Sequence, residues 1–362
     1  MALSMRSRCG GWVVAMLLVG LQASAASPEE VISRFVASND FNGVILVARD
    51  EGLVHLGAYG HSDAEARTPT AFSTRYQLGS ISKYVASLVV LKLVDEGTLS
   101  LTRPISDYLP DYREDVGRKV TLHHLLSHTS GVPNDVIAAF RKDRSMASVE
   151  LPMATAVERY ASGALQFEPG ARFDYSQSNW ILVRAIIERV SGQSYEENVR
   201  RLLAPVELKD TGIFVGDFSA IPASAMGYTS VKPAPVRSSV PTPAFMAGAG
   251  GAFSTATDLL TLTRALHEGK LVSRESLQKL WTPYVADEGY AYGGRVKTLT
   301  LGGREERVAW NSGSSGPFKT RVSRVMSNGL TVIVLSNTSA DMGKLGALTE
   351  EILQTLSGAP AP

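Results

Sequence analysis

The chain has 362 residues, 44% of them hydrophobic, enough to bury a large core as one big domain or two. Its 36 Lys+Arg nearly balance its 35 Asp+Glu and no basic block stands out, so the charge pattern gives no sign of a nucleic-acid partner. The single cysteine, Cys9, stands ahead of the first apolar run, which excludes disulfides, thiol catalysis and Cys–metal ligation in a processed chain.

Arg6 and Arg8 form a positive patch at the N-terminus. The apolar run "GWVVAMLLVGL" (11–21) follows, then Ala23-Ser24-Ala25, small residues suited to cleavage. This pattern predicts a signal peptide over 1–25 and a periplasmic or secreted chain of residues 26–362. The run is too short to span a bilayer comfortably, so no stable membrane span is expected after cleavage.

Ser27 as N-cap and Pro28 in the first turn start a short helix, "SPEEVISRFVA". "GVILVARDEGLVHLGAYG" (43–60) reads as two strands around an Asp-Glu-Gly turn. The middle of the chain is mostly helical, with candidates at 80–96, 122–128, 154–160, 178–190, 195–203, 256–267 and 274–281. Gly97, Gly131, Gly192 and Gly269 stand where left-handed helix ends are expected. Residues 229–247 are Pro/Ser-rich and read as a long loop lining a cleft. Strands then return in "RVKTLTLGG", "ERVAW", "KTRVSRVM" and "LTVIVLSN", the last two joined by an Asn328-Gly329 turn. A helix around 344–356 ends the pattern.

Strands at both ends with helices between predict an α/β fold. The expected architecture is an antiparallel sheet built from both chain ends, flanked by helices, with an inserted mostly helical domain. The α/β part is expected at about 26–80 and 250–362, and the helical part at about 81–249.

Chemistry concentrates in "YQLGSISKYVASLVVLKLVDEG" (76–97). From Ser80 onward apolar residues crowd every face, the mark of a buried helix. Lys83 lies one turn beyond Ser80, so the two side chains share a face. Burial disfavours the ammonium and turns a lysine into a base. A serine hydroxyl needs such a base to become a nucleophile, and a helix N-terminus favours the negative charge that then develops. A second S-x-x-K, Ser276 to Lys279, reads as part of an ordinary, exposed amphipathic helix. The G-x-S-x-G elbow is absent from the sequence, and no histidine lies in the C-terminal strands to complete a triad. His124 and His128 have i, i+4 spacing but no H-E-x-x-H glutamate, so a structural role is expected for them rather than a metal site.

With these segments in view, the chain resembles the serine β-lactamase and penicillin-binding superfamily, in its class C β-lactamase-related branch. The resemblance runs through "FNGVILVARDEG", "YQLGSISKYVAS", "LVDEGTLSLTRPISDYLP", "VTLHHLLSHTSGVP", "FEPGARFDYSQSNWILVRAIIERVSGQSY", "GAGGAFSTATDLL" and "LTVIVLSN", in that order. It implies Ser80 as nucleophile and Lys83 as its lysine. It places the family's Tyr-x-Asn motif on Tyr175-Ser176-Gln177, with Tyr175 shuttling the proton. The third motif, a cation followed by Thr/Ser/Gly and Gly, falls on Asn311-Ser312-Gly313, and the N–H of Ser314 then completes an oxyanion hole with that of Ser80. A rival placement on Lys319-Thr320 puts Arg321 where a glycine is needed.

Two departures bear on function. Gln177 replaces asparagine, offering the same amide one methylene further out. Asn311 replaces the cation that helps hold a substrate carboxylate, so charge assistance is lost there. The resemblance with these departures implies a secreted serine hydrolase forming an acyl-serine on an ester or peptide-like amide. β-Lactamase or D-Ala-D-Ala carboxypeptidase activity is the alternative, and a catalytically weak binding or sensor protein a third. Neither cofactor nor metal is implied. The expected partner is a small ester, amide or β-lactam substrate, and nothing in the sequence sets the oligomeric state.

Overall fold

The computed structural model describes residues 26–49 and 52–358. The leader expected over 1–25, Cys9 included, lies outside the described residues.

Ser27 caps α1 (Pro28–Asn39) through a capping box with Glu30. Strands β1 (Gly43–Arg49) and β2 (Gly52–Tyr59) pair as a hairpin. The helical region holds α2 (Ile81–Asp95), α3 (Asp135–Lys142) and α4 (Ser178–Ser191) among others, and α5 (Ala256–His267) follows it. The chain returns through β3 (Arg295–Leu301), β4 (Arg304–Ser315), β5 (Phe318–Val325) and β6 (Thr331–Ser336), then ends in α6 (Met342–Gly358). These six strands form one antiparallel sheet in the order β3-β4-β5-β6-β1-β2. The β6–β1 pairing sets Gly43 opposite Ser336, so the sheet is built from both chain ends. The fold is α/β, as the sequence predicts.

Both faces of this sheet are covered, which explains the continuous apolar run in β1. Val44 and Leu46 face a core shared with α2, α4 and α5, while Ile45 and Val47 face α1 and α6. Full burial of each such side chain contributes about 1.5–3 kcal/mol. Helix α2 is apolar on nearly every side and packs against β4, α4 and the helix Arg274–Leu280. Even Lys83 has no exposed surface.

Three differences between the structure and the sequence expectation bear on the cleft. Helix α3 was not expected; Val136 is its only buried residue, so its apolar stripe is too brief to read as a period. Strand β4 does not stop at Trp310 but runs on through Ser315, held by pairing with β5 from Asn311 opposite Val322 to Ser315 opposite Phe318. The 229–247 segment is not all loop: Tyr228–Ser230 pairs with Val236–Arg237, and residues 238–243 then line a cleft.

Candidate active site

Ser80 sits between a tight turn and the first turn of α2. Gly79 has φ +53°, and a Cβ there would come within 2.7 Å of the Ser314 backbone nitrogen. Ser82 Oγ donates to the Gly79 carbonyl (2.7 Å) and accepts the Ala252 N–H (2.8 Å), which pins this turn from below. Ser80 occupies the N-cap position, yet its hydroxyl caps nothing. Lys83 Nζ donates to it at 3.1 Å instead, and to the Ala249 carbonyl at 2.8 Å. Burial pushes the Lys83 ammonium below its ordinary pKa, and the Tyr175 phenol partly offsets this. The Tyr175 ring centroid is 5.3 Å from Nζ.

Tyr175 lies in a loop clamped from two sides just before α4. Asn134 donates through Nδ2 to the Tyr175 carbonyl (3.2 Å) and accepts the Gln177 N–H at Oδ1 (3.0 Å). The His128 carbonyl accepts the Asp174 N–H (2.8 Å), and His128 Nδ1 accepts the Ser176 N–H (3.1 Å). The His128 ring stacks on Tyr175 with centroids 4.2 Å apart. Burial, helped by the charges of Lys83 and Arg295, holds the His128 pKa far below the usual imidazole range, so the ring is neutral. Tyr290 packs edge-on to Tyr175 at 6.3 Å, and burial keeps its phenol protonated.

The third wall is β4. Its pairing with β3 ends where Arg295 faces Trp310, so the edge from Asn311 to Ser315 is open on that side. A Cβ on Gly313 would meet the Leu78 carbonyl oxygen at 1.8 Å, so only glycine lets this strand lie on the Leu78–Ser80 turn. That contact brings the Ser314 backbone beside Gly79 and Ser80. Asn311 is 5% exposed, with Oδ1 unpartnered against Gly294.

Two cavities meet at the serine. The larger, about 590 Å³, is lined by Gln177, Phe140, Val240 and Met246 among others. The smaller, about 330 Å³, is lined by Tyr175, Tyr290, Arg295, Trp310 and Asn311. Ser80 and Ser314 line both. Gln177 Oε1 is buried without a partner, an acceptor suited to an amide N–H.

The structure thus brings Ser80, Lys83, Tyr175, Gln177, Asn311, Ser312, Gly313 and Ser314 around one cleft. Lys319 stands opposite Ser314 on β5, donating to Ser314 Oγ (2.8 Å) and to the Gly316 carbonyl (2.6 Å). Arg321 follows it with its guanidinium 3.9 Å from the Trp310 ring centroid. One expectation needs correction: Ser276 is 1% exposed, not on a solvated face. Its Oγ donates to Asp95 (2.6 Å), while Lys279 pairs with Glu275. Among the described residues no group of three or more His, Cys, Asp or Glu is placed to hold a metal. Sequence reasoning missed His128 as the support of Tyr175, and missed Asn134, Tyr290 and Arg295 altogether. Tyr290 and Arg295 reach the smaller cavity, and His128 and Asn134 reach the Tyr175 loop, through tertiary packing.

A family model described as Beta-lactamase matches residues 29–357. The chain is 24% identical over 339 residues to penicillin-binding protein 4* of Bacillus subtilis (strain 168), covering 89% of this chain and 74% of that protein. It is 35% identical over 207 residues to esterase EstB of Burkholderia gladioli, covering 54% of this chain and 52% of EstB. The crystal structure of a penicillin-binding protein from Bacillus halodurans superposes with TM-score 0.73 at 25% identity, covering 88% of this chain and 98% of that one.

Proposed function

This chain belongs to the Beta-lactamase family and is a serine hydrolase, and from that premise we propose that it acts through an acyl-serine on a small ester or peptide-like amide outside the cytoplasm. Ser80 Oγ gives its proton to the Lys83–Tyr175 pair as it bonds to the substrate carbonyl carbon. The oxygen becomes an oxyanion facing the N–H groups of Ser80 and Ser314. The bond to the leaving group breaks, and the leaving group takes the proton from Tyr175. Water then adds to the acyl-serine, losing its proton to the same pair. That proton returns to Ser80 Oγ as the acyl–oxygen bond breaks, giving a carboxylic acid and the free enzyme.

The observation that carries this reading is the fully buried Lys83 with Nζ 3.1 Å from an uncapped Ser80 hydroxyl. The likeness to an esterase supports ester substrates. The likeness to penicillin-binding proteins favours a second reading, in which β-lactams or D-Ala-D-Ala peptides are turned over. The test is a rate panel with a p-nitrophenyl ester, a chromogenic cephalosporin, a D-amino-acid anilide and a D-Ala-D-Ala peptide, run beside labelling with a fluorophosphonate. Turnover that Ser80→Ala abolishes, with the label on Ser80, supports the reading. Turnover that survives Ser80→Ala rejects it. Export is tested separately by intact mass of protein from the native host, where retention of Met1 or Cys9 speaks against cleavage after Ala25.

A further inference from the structure

We propose that Arg141 and Arg144 select the acyl half of the substrate, by binding a carboxylate at the end of it that lies away from the serine. The inference deepens the acyl-serine reading above and rests on it.

The two cavities divide the substrate. Ser80 and Ser314 line both, so the carbonyl under attack sits at their junction. Tyr175 lines the smaller cavity, and a group that protonates the leaving atom must stand beside it, so the leaving half lies there. The larger cavity, about 590 Å³, takes the acyl half.

One wall of this larger cavity is α3 and the turn that follows it. Ile137, Phe140 and Arg141 stand at i, i+3 and i+4, so they share one face of the helix. Arg144 opens the 3-10 turn Arg144–Ser148, which buried Ala147 anchors. Asn134, the residue before α3, holds the loop of Tyr175 and Gln177. Arg141 stands seven residues further on, about 10 Å along the helix. The order along this wall is thus apolar first and cationic last. Val240 and Met246 add apolar surface from the segment that follows Arg237. An acyl chain that matches this order has an apolar stretch beside its carbonyl and a negative charge beyond.

Among the described residues, Arg141 and Arg144 are the only charged side chains that line this cavity. Within the same set, neither guanidinium has a hydrogen bond, an ion pair or an aromatic ring of its own. Asp143 stands between them in sequence but does not line the cavity, and its carboxylate accepts the Ser145 N–H at 2.9 Å. Lys319 adds a third positive charge behind Ser314 and Gly316, which line the same cavity. An anion that enters therefore meets cations with no resident carboxylate to displace. A planar fork of donors fits a carboxylate in two-point contact.

The bland alternative is that these are solvated arginines, with Arg141 and Lys142 in the last turn of α3 offsetting its dipole. Paired p-nitrophenyl esters separate the two roles. The acyl groups are the half-acids of hexanedioic, octanedioic and decanedioic acid, each beside its ω-carboxamide, of the same shape without the charge. Both exposed arginines act through solvent, so wild type should favour the best-fitting carboxylate by about three- to tenfold in kcat/KM. That ratio should fall toward one as salt rises to about 1 M, where screening is nearly complete. Arg141→Gln and Arg144→Gln should each reduce the ratio, and the double variant should abolish it. Lys142→Gln removes a neighbouring charge that does not line the cavity and should keep the ratio. Equal rates for charged and neutral esters at every length in wild type, with Ser80 still labelled and turning over, overturn the inference and leave the acyl-serine reading intact. A double variant that keeps the wild-type ratio also overturns it, as does a Lys142→Gln variant that loses as much as Arg141→Gln. Should the double variant fail to fold, the wild-type ratio and its salt dependence still decide. Absence of serine labelling and turnover removes the acyl-serine reading, and the inference falls with it.

Discussion

Lys83 Nζ lies 3.1 Å from Ser80 Oγ and 2.8 Å from the Ala249 carbonyl, and both of these partners are neutral oxygens. With no carboxylate in that pair of contacts, burial wins over charge attraction and the ammonium is easier to deprotonate than a free lysine. In the proposed mechanism the neutral amine is the form that accepts the serine proton. Rate should therefore fall as pH drops through the lowered Lys83 pKa, because protonation removes the base. A pH profile of kcat/KM on a neutral ester measures this acidic limb. Lys83→Arg keeps a cation that does not deprotonate, so it should remove nearly all activity at every pH. A Lys83→Arg enzyme with wild-type rate contradicts the assignment.

Lys83→Ala and Tyr175→Phe should each lower kcat by orders of magnitude with little change in KM, since the proposed mechanism gives both a part in proton transfer in the transition state. In that mechanism they form one relay, so the double variant should be scarcely worse than the slower single one. Losses that multiply would mean that the two act independently.

Gly313→Ala tests the contact between β4 and the Leu78–Ser80 turn. The added methyl would meet the Leu78 carbonyl at 1.8 Å, so the strand must retreat. Loss of one oxyanion donor costs about 100- to 1,000-fold in kcat, and a displaced Ser314 N–H should approach that range. Fluorophosphonate labelling of Ser80 should slow in parallel, while circular dichroism should stay close to wild type.

Ser276→Ala provides the contrast to Ser80→Ala. Ser276 Oγ is a buried donor to Asp95, so its removal should lower stability by about 1–3 kcal/mol and leave kcat near wild type. Thermal melting and a rate on the best panel substrate check the two halves. A large kcat loss would place Ser276 in the chemistry.

What the sequence made legible was local. Ser80 and Lys83 are three residues apart on one helix, and their shared face follows from helical geometry alone. The apolar run of β1 and the capping box of α1 are likewise written in adjacent residues. Tyr175 and the 311–314 stretch needed a family resemblance, because serine and glycine carry little strand signal and β4 depends on β5 to extend there. Arg295 had no signal at all: its place in the cleft follows from the register that sets it opposite Trp310. His128 suggested a helix-face pair with His124. The chain instead takes φ +58° at His128 and turns its ring onto Tyr175. Ser276 looked solvated because its partner, Asp95, lies far away in sequence at the end of α2.

The join between β1 and β6 has a consequence for when the enzyme becomes active. Gly43 and Ser336 are neighbours in space but stand near opposite ends of the chain. During synthesis the helix that follows Ser80 is made early, while β4, which carries the Ser314 N–H, has no sheet to join until β6 has emerged to link it to β1. A nascent or C-terminally truncated chain therefore holds Ser80 without the wall that completes its site. A chain cut before Thr331 is therefore expected to show no hydrolysis although it still carries Ser80 and Lys83.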